Sequence, residues 1–350
     1  MTGHDGYIGT ILAPMLAARG HEVMGLDSYL YETCTFGEAP TEIPALRKDV
    51  RDVDVADLRG FEAVIHLAGL CNDPLGDLNP ECTFDINHRA SVRLAERARD
   101  AGVKRFLFSS SCSLYGAAGD ELVAENGIAN PVTPYGESKV LVERDVAAMA
   151  EDDFSPTFLR NATVYGVSPR LRGDLVVNNL VGYAYTTGEV HIKSDGTPWR
   201  PLVHVQDVAR AFVALLEAPR DLVHNEAFNV GITAENFRVR AVAEIVEDVV
   251  PGSRITYAQD AGPDKRNYRV SFEKLARTVP AFRPTWTVRR GVEELLEAFR
   301  RMRLTYEEFT GSRLLRIRHI LELLDSDQID PSLRWRSRPE GRRGKDAARV

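Results

Sequence analysis

Five consecutive residues, Tyr135-Gly136-Glu137-Ser138-Lys139, carry the first chemical signal. Side chains four apart on a helix share a face, so the Tyr135 phenol and the Lys139 ammonium can reach one site. A free tyrosine titrates near about 10. A neighbouring ammonium and a positively charged cofactor ring lower that value and make the phenolate a usable base near neutrality. The run Phe108-Ser109-Ser110-Ser111-Cys112-Ser113-Leu114-Tyr115-Gly116 follows an apolar stretch and places Ser111 24 residues before Tyr135. Hydroxyls at the C-terminal end of a strand lie where a parallel sheet binds its ligands.

The second signal is Gly3-His4-Asp5-Gly6-Tyr7-Ile8-Gly9, preceded by Thr2 and opening a helix. Glycines there permit a tight turn and bring backbone N–H groups close to a pyrophosphate at the positive end of the helix. Asp27 follows the strand-like run His21–Leu26, where a carboxylate accepts the hydroxyls of an adenosine ribose. That carboxylate repels a 2′-phosphate. No Arg or Lys stands in the turn or directly after Asp27, so NAD is favoured over NADP. Asp49 and Val50 close the next strand region and are candidates to flank the adenine. Leu67-Ala68-Gly69 closes another, where small residues let the backbone pass the cofactor.

These groups need a scaffold. Strand-like runs at His21–Leu26, Glu62–Leu67, Arg105–Phe108 and Pro156–Leu159 alternate with helix-like segments at Thr10–Ala18, Asn87–Ala101 and Tyr135–Ala150. That alternation predicts an α/β fold, a doubly wound parallel sheet of Rossmann type with helices on both faces. After residue 160, polar and Gly/Pro-rich loops interrupt shorter elements, the texture of a smaller α+β domain folded over a ligand. The expected division is 1–165 for the cofactor domain and 166–300 for the substrate domain, with some segments of the latter returning to the first sheet. Residues 301–335 read as a helical extension and 336–350 as a basic tail.

Composition excludes other classes. The chain has 350 residues, 44% hydrophobic and 27% charged, with four cysteines and no CxxC pairing. Collagenous, disordered and disulfide-stapled classes are ruled out, no apolar run is long enough to span a bilayer, and a reduced cytoplasmic protein is the plain reading. The net charge is −7, yet the last 15 residues hold six basic side chains against two acidic ones. That tail reads as a solvated terminus; it lacks the aromatic residues that would favour a nucleic-acid partner. No metal-ligand spacing occurs.

Taken together, TGHDGYIG, Asp27, HLAG, SSSCSLYG and YGESK resemble the extended short-chain dehydrogenase/reductases, the sugar-nucleotide epimerase/dehydratase family, over roughly residues 1–300. The resemblance implies tightly bound NAD and a C-terminal domain that takes a nucleoside-diphosphate sugar. It implies that Tyr135 is the base, that Lys139 holds the nicotinamide ribose and tunes Tyr135, and that Ser111 hydrogen-bonds the hydroxyl being oxidised. Leu159–Gly166 resembles the family's R-x-x-N-V-Y-G stretch, with Thr163 where the usual Asn stands. The run Ser168–Leu175 is similar to a subgroup that includes heptose 4-dehydrogenases. By the same carry-over Asn179 contacts the diphosphate, and Arg172, Arg200 and Arg266 are phosphate candidates. His204 is expected to be a structural hydrogen-bonder.

Family members share oxidation at the sugar C4 and diverge at the residues after the catalytic serine. Those are Cys112 and Ser113 here, placed in the substrate set. Dehydratases carry an Asp-Glu pair there, and decarboxylases a Glu at the second place, so both activities are disfavoured. What remains is an epimerase, with a 4-dehydrogenase or 4-ketoreductase as alternatives and a non-catalytic NAD-binding regulator as the reading from another class. The resemblance also implies a homodimer through the helices at 87–101 and 135–150. A family member has an apolar strand before the glycine turn, where this sequence shows Met1 alone. The expectation is that the reading frame begins upstream.

Overall fold

The structure, a computed structural model, describes residues 1–71, 73–262 and 266–336. The basic tail from residue 337 onward and the Pro263-Asp264-Lys265 run lie outside them. Its main sheet is parallel, built from Ala45–Arg47, Gly25–Asp27, Ala63–His66, Arg105–Ser111, Ser155–Asn161 and Glu226–Val230. Thr2 bridges Leu26 on one side and His66 on the other, so Met1–Gly3 occupies the central ladder position between the two halves. The Thr2 amide donates to Ile65 at 3.0 Å and Gly3 to Leu26 at 2.8 Å. These bonds satisfy backbone groups that would otherwise be buried without partners.

The observed strands run past the apolar cores that mark them in the sequence. Arg105–Ser111 continues through three serines, because Ser109, Ser110 and Ser111 pair with Leu159, Arg160 and Asn161. The helix expected from Asn87 is composite: a π-helical turn at Phe84–Arg89 leads into Ala90–Asp100, whose buried stripe is Ala90, Leu94, Ala95 and Ala98. The next helix spans Pro134–Ala147. Proline fits its first turn, where the missing N–H has no intrahelical acceptor, and Thr133 caps it by accepting from the Gly136 amide. Val142 and Val146 of that helix fill the core of the chain itself, both 0% exposed.

The second half forms a three-stranded sheet of Thr163–Tyr165, Trp199–His204 and Asn236–Arg238, with pairs Glu189–Ser194/Arg254–Gly262 and Ala117–Val123/Asn267–Val270. The C-terminal extension is two helices, Tyr306–Thr310 and Arg316–Asp325, broken at Gly311. Phe309 and Leu314 pack into the second-half core, whereas Ile320, Leu323, Ile329 and Leu333 pack against the main sheet. The extension therefore straddles both halves.

Candidate active site

The glycine turn joins the Met1–Gly3 ladder to the helix Gly9–Ala18. Gly3 has φ +70°, and a Cβ there would lie 2.7 Å from the Ala68 amide nitrogen. A Cβ on Gly9 would lie 2.3 Å from the Gly3 carbonyl oxygen. Both positions require glycine, and the turn they permit leaves backbone at the floor of a cavity of about 730 Å³. Gly3, Gly6, Tyr7, Ile8, Gly9, Asp27, Asp49, Val50, Leu67, Ala68 and Gly69 all line it.

Asp27 stands at the end of its strand, where its carboxylate accepts from the Tyr29 amide at 2.7 Å and the Asp5 amide at 3.1 Å. Burial pushes its pKa up to about 6, against the pull of those amides. Asp49 is held differently: Arg51 grips it through Nε at 2.9 Å and Nη2 at 2.6 Å. The Tyr7 hydroxyl donates to the Gly166 carbonyl at 2.7 Å, which ties the turn to the second half of the chain.

At the other end of the cavity Ser111, Tyr135 and Lys139 come together. Ser111 Oγ accepts from the Ser113 amide at 3.1 Å and lies 3.0 Å from the Ser113 hydroxyl. Lys139 Nζ donates to the Ser109 carbonyl at 2.7 Å, 4.5 Å from the centre of the Phe108 ring and 5.5 Å from that of Tyr135. Burial lowers the Lys139 pKa to about 8. Behind this face, Ser110 donates to Glu143, which forms a two-pronged pair with Arg160, and Arg160 donates to the Tyr115 hydroxyl at 3.0 Å. That buried network locks the helix carrying Tyr135 against the strand carrying Ser111.

Cys112 corrects the sequence reading. It does not line the cavity: it is 1% exposed, and its thiol points into the core, 3.1 Å from the Arg160 carbonyl. The residues after Ser111 enter a 3-10 turn over Cys112–Tyr115, which turns Cys112 inward and leaves Ser113 on the cavity wall.

Thr163, Asn179, Arg172, Arg200 and Arg266 line the same cavity as the serines. Arg200 Nη1 donates to the Arg266 carbonyl at 2.6 Å, which brings the two arginines together from distant segments. Asn179 Nδ2 donates to the Gly173 carbonyl at 2.7 Å. Arg172 is buried and clamps Asp174 with two nitrogens, at 3.0 and 2.6 Å, so its charge is already matched. His204 is buried away from the cavity, stacked on Trp286 at 3.8 Å and bonded to Glu294 at 2.8 Å.

Further cavity residues were not singled out from the sequence. Asn161 donates to the Ser109 hydroxyl at 3.1 Å, and its buried Oδ1 has no partner. Its place two residues before Thr163, within a motif already marked, was the available hint. Tyr268, 3% exposed, reaches Ser113 from the strand Asn267–Val270 of the second half. Tyr31, Arg316 and Leu333 complete the glycine-turn end.

Residues 1–231 match the NAD dependent epimerase/dehydratase family. The chain belongs to that family. Among curated relatives of this family member, the UDP-glucose 4-epimerase of Mycolicibacterium smegmatis is 29% identical over 86% of this chain and 97% of its own. Among solved structures, MoeE5 in complex with UDP-glucuronic acid and NAD has a TM-score of 0.74 at 28% identity, covering 86% of this chain and 98% of that one. The UDP-glucose 4-epimerase of Thermotoga maritima with UDP-glucose has a TM-score of 0.75 at 26% identity, covering 87% and 98%. The cofactor of the family is NAD, and the residues here fit it. The turn is a cradle that any Cβ would fill, and among the described residues Asp27 presents a carboxylate bonded by backbone amides and by no lysine or arginine. Among the described residues no helix is long and apolar enough to cross a membrane, and no cluster of ligating side chains could hold a metal.

Proposed function

We propose that this protein is an NAD-dependent oxidoreductase/epimerase acting at C4 of a nucleoside-diphosphate sugar. The observation that carries the reading is the convergence of Ser111, Tyr135 and Lys139 on the cavity that the glycine turn opens into. Bound along the turn, NAD supplies a ring that accepts a hydride and can return it. Tyr135 takes the proton of the C4 hydroxyl and gives it back after the sugar has turned. Ser111, its oxygen oriented by the Ser113 amide, donates to the oxygen at C4 and steadies the ketone. Lys139, held by the Ser109 carbonyl, favours the tyrosinate by its charge and positions the nicotinamide ribose.

The flank of Ser111 supports transfer without elimination. Cys112 is turned into the core, and Ser113 has no acidic proton to lend. Among the described cavity-lining residues the carboxylates are Asp27, Asp49 and Asp174, engaged by backbone amides, Arg51 and Arg172. The paired Arg200 and Arg266, with Asn179 and Thr163, form the end suited to the sugar nucleotide's diphosphate.

The test is incubation with NAD and UDP-glucose, then UDP-galactose, followed by chromatography of the sugars. Interconversion at C4 is expected. Accumulation of a ketosugar with reduced cofactor would make the protein a 4-dehydrogenase, and no change in any NDP-sugar would sink the enzyme reading. We assign residues 1–165 to the cofactor domain, 166–300 to the substrate domain, and place the protein in the cytoplasm, where both nucleotides are made. We also assign it a homodimer through the helices Ala90–Asp100 and Pro134–Ala147. His88, in the π-helical turn that leads into the first helix, bonds Asp145 of the second at 2.7 Å, and half-buried Val92 and Leu141 lie on the two helices. Light scattering at twice the chain mass is the expected result.

A further inference from the structure

The C-terminal extension delivers one cation to the glycine-turn end of the cavity. Arg316 opens the helix Arg316–Asp325, is 3% exposed, and lines the cavity with Gly6, Tyr7 and Tyr31. Its Nη2 donates to the Arg170 carbonyl at 2.9 Å, and its guanidinium lies 4.3 Å over the Tyr31 ring. Its Nη1 is buried with no hydrogen-bond partner.

The neighbouring cations differ. Arg170 is matched by Asp5, Arg172 by Asp174, Arg51 by Asp49, and Lys48 by Asp54 and Asp57. Arg316 forms no ion pair with a described carboxylate. A buried guanidinium without an anion is costly unless a ligand supplies one. The site beside it favours anions for a second reason: the helix Gly9–Ala18 begins there and presents its positive dipole end.

We propose that Arg316 is a positioning residue for the dinucleotide, pairing with its pyrophosphate, so that the C-terminal extension completes the cofactor site. This rests on the NAD reading above. The extension is fastened to the adenosine side by several bonds that hold Arg316 in place. The Trp335 indole donates to the Ser28 carbonyl at 2.8 Å, Arg51 to the Ser332 carbonyl at 2.8 Å, and His319 meets the Leu30 carbonyl at 2.8 Å. Arg334 pairs with Asp52 at 2.6 Å, and Leu333 forms part of the cavity wall. The relatives above are covered almost end to end by 86% or 87% of this chain, which leaves about a seventh of it without a counterpart in them.

A pyrophosphate also occurs in the sugar nucleotide, and the test separates the two sources. Calorimetry on protein stripped of nucleotide compares wild type with Arg316→Gln and Arg316→Met, using NAD, ADP-ribose, adenosine and UDP as ligands. Either variant weakens NAD and ADP-ribose by roughly ten- to a hundredfold, the range for losing a hydrogen bond to a charged group. Adenosine, which lacks phosphate, and UDP, which marks the other site, bind as in wild type. Melting of the ligand-free variants stays level or rises, since an unmatched buried charge has gone. NAD affinity within twofold of wild type in a folded variant overturns the proposal, as does an equal loss for adenosine. Loss of UDP alone moves Arg316 to the sugar nucleotide and also overturns it. If wild type binds no NAD, the cofactor reading fails instead.

Discussion

Lys139 donates to the backbone carbonyl of Ser109 at 2.7 Å, so one bond joins the helix of the candidate base to the strand of the candidate serine. The ammonium reaches that carbonyl across the Phe108 ring, in surroundings dry enough to lower its pKa to about 8. The same cation is therefore a strut that also stands 5.5 Å from the centre of the Tyr135 ring, where the proposed mechanism uses its charge. Lys139 shares the mechanical link between sheet and helix with the Ser110–Glu143–Arg160 network.

Tyr135→Phe removes the proton acceptor and leaves the ring. Turnover is expected to fall by about 10²–10⁴-fold, the usual worth of a positioned acid–base group. NAD affinity should stay close to wild type. Sugar interconversion and calorimetry check the two halves, and unchanged turnover refutes the assigned role.

In the proposed cofactor site the Asp27 carboxylate would accept ribose hydroxyls best when ionised, and burial raises its pKa in the folded protein to about 6. NAD affinity is therefore expected to be flat above that pH and to weaken as pH falls through it. In Asp27→Asn the affinity should be lower, by roughly tenfold for hydrogen bonds to a charged group, and the acid limb should vanish. A pH series of NAD titrations on both proteins decides it.

Gly3→Ala places a side chain at φ +70°, 2.7 Å from the Ala68 amide nitrogen. Left-handed strain alone costs about 1–2 kcal/mol, and the clash adds to it. The variant should melt several degrees lower and bind NAD poorly, because the turn must shift to accommodate the methyl group. Thermal melts with and without NAD measure both, and an unaltered melt with full NAD affinity would contradict the turn geometry.

His66 is buried between the Thr2 and Ser91 hydroxyls, each 2.7 Å away, and burial lowers its pKa to about 3 from an ordinary 6.5. Between those values the unfolded chain binds the proton and the folded one does not. His66 thus contributes a loss of stability as pH falls from about 6.5 towards 3. His66→Gln keeps the two hydrogen bonds within reach and cannot titrate. Its denaturation midpoint should decline less steeply over that window than that of wild type.

Much of this was legible in the sequence because it is local. A glycine turn, a carboxylate one strand later and a Tyr and Lys four apart on a helix hold their geometry within short stretches of backbone. The order of strands and helices placed them on one parallel sheet, and the structure brings Gly3, Asp27, Ser111, Tyr135 and Lys139 to one cavity. Spacing could not say which way a side chain faces in an irregular turn. Cys112 adjoins Ser111 yet points into the core, because a 3-10 turn begins there. Nor could it say which charges are matched, since partners meet only when the chain has folded. Arg170 finds Asp5 across 165 positions, Arg172 is clamped by Asp174, and Arg316 arrives late in the chain with its buried Nη1 unbonded among the described residues. The sequence by itself determined the family, the cofactor and the candidate residues that meet in the cavity, through backbone geometry that short motifs impose. Tertiary structure alone decided which cations remain unmatched in the cavity, because burial and long-range pairing set the electrostatics of a site.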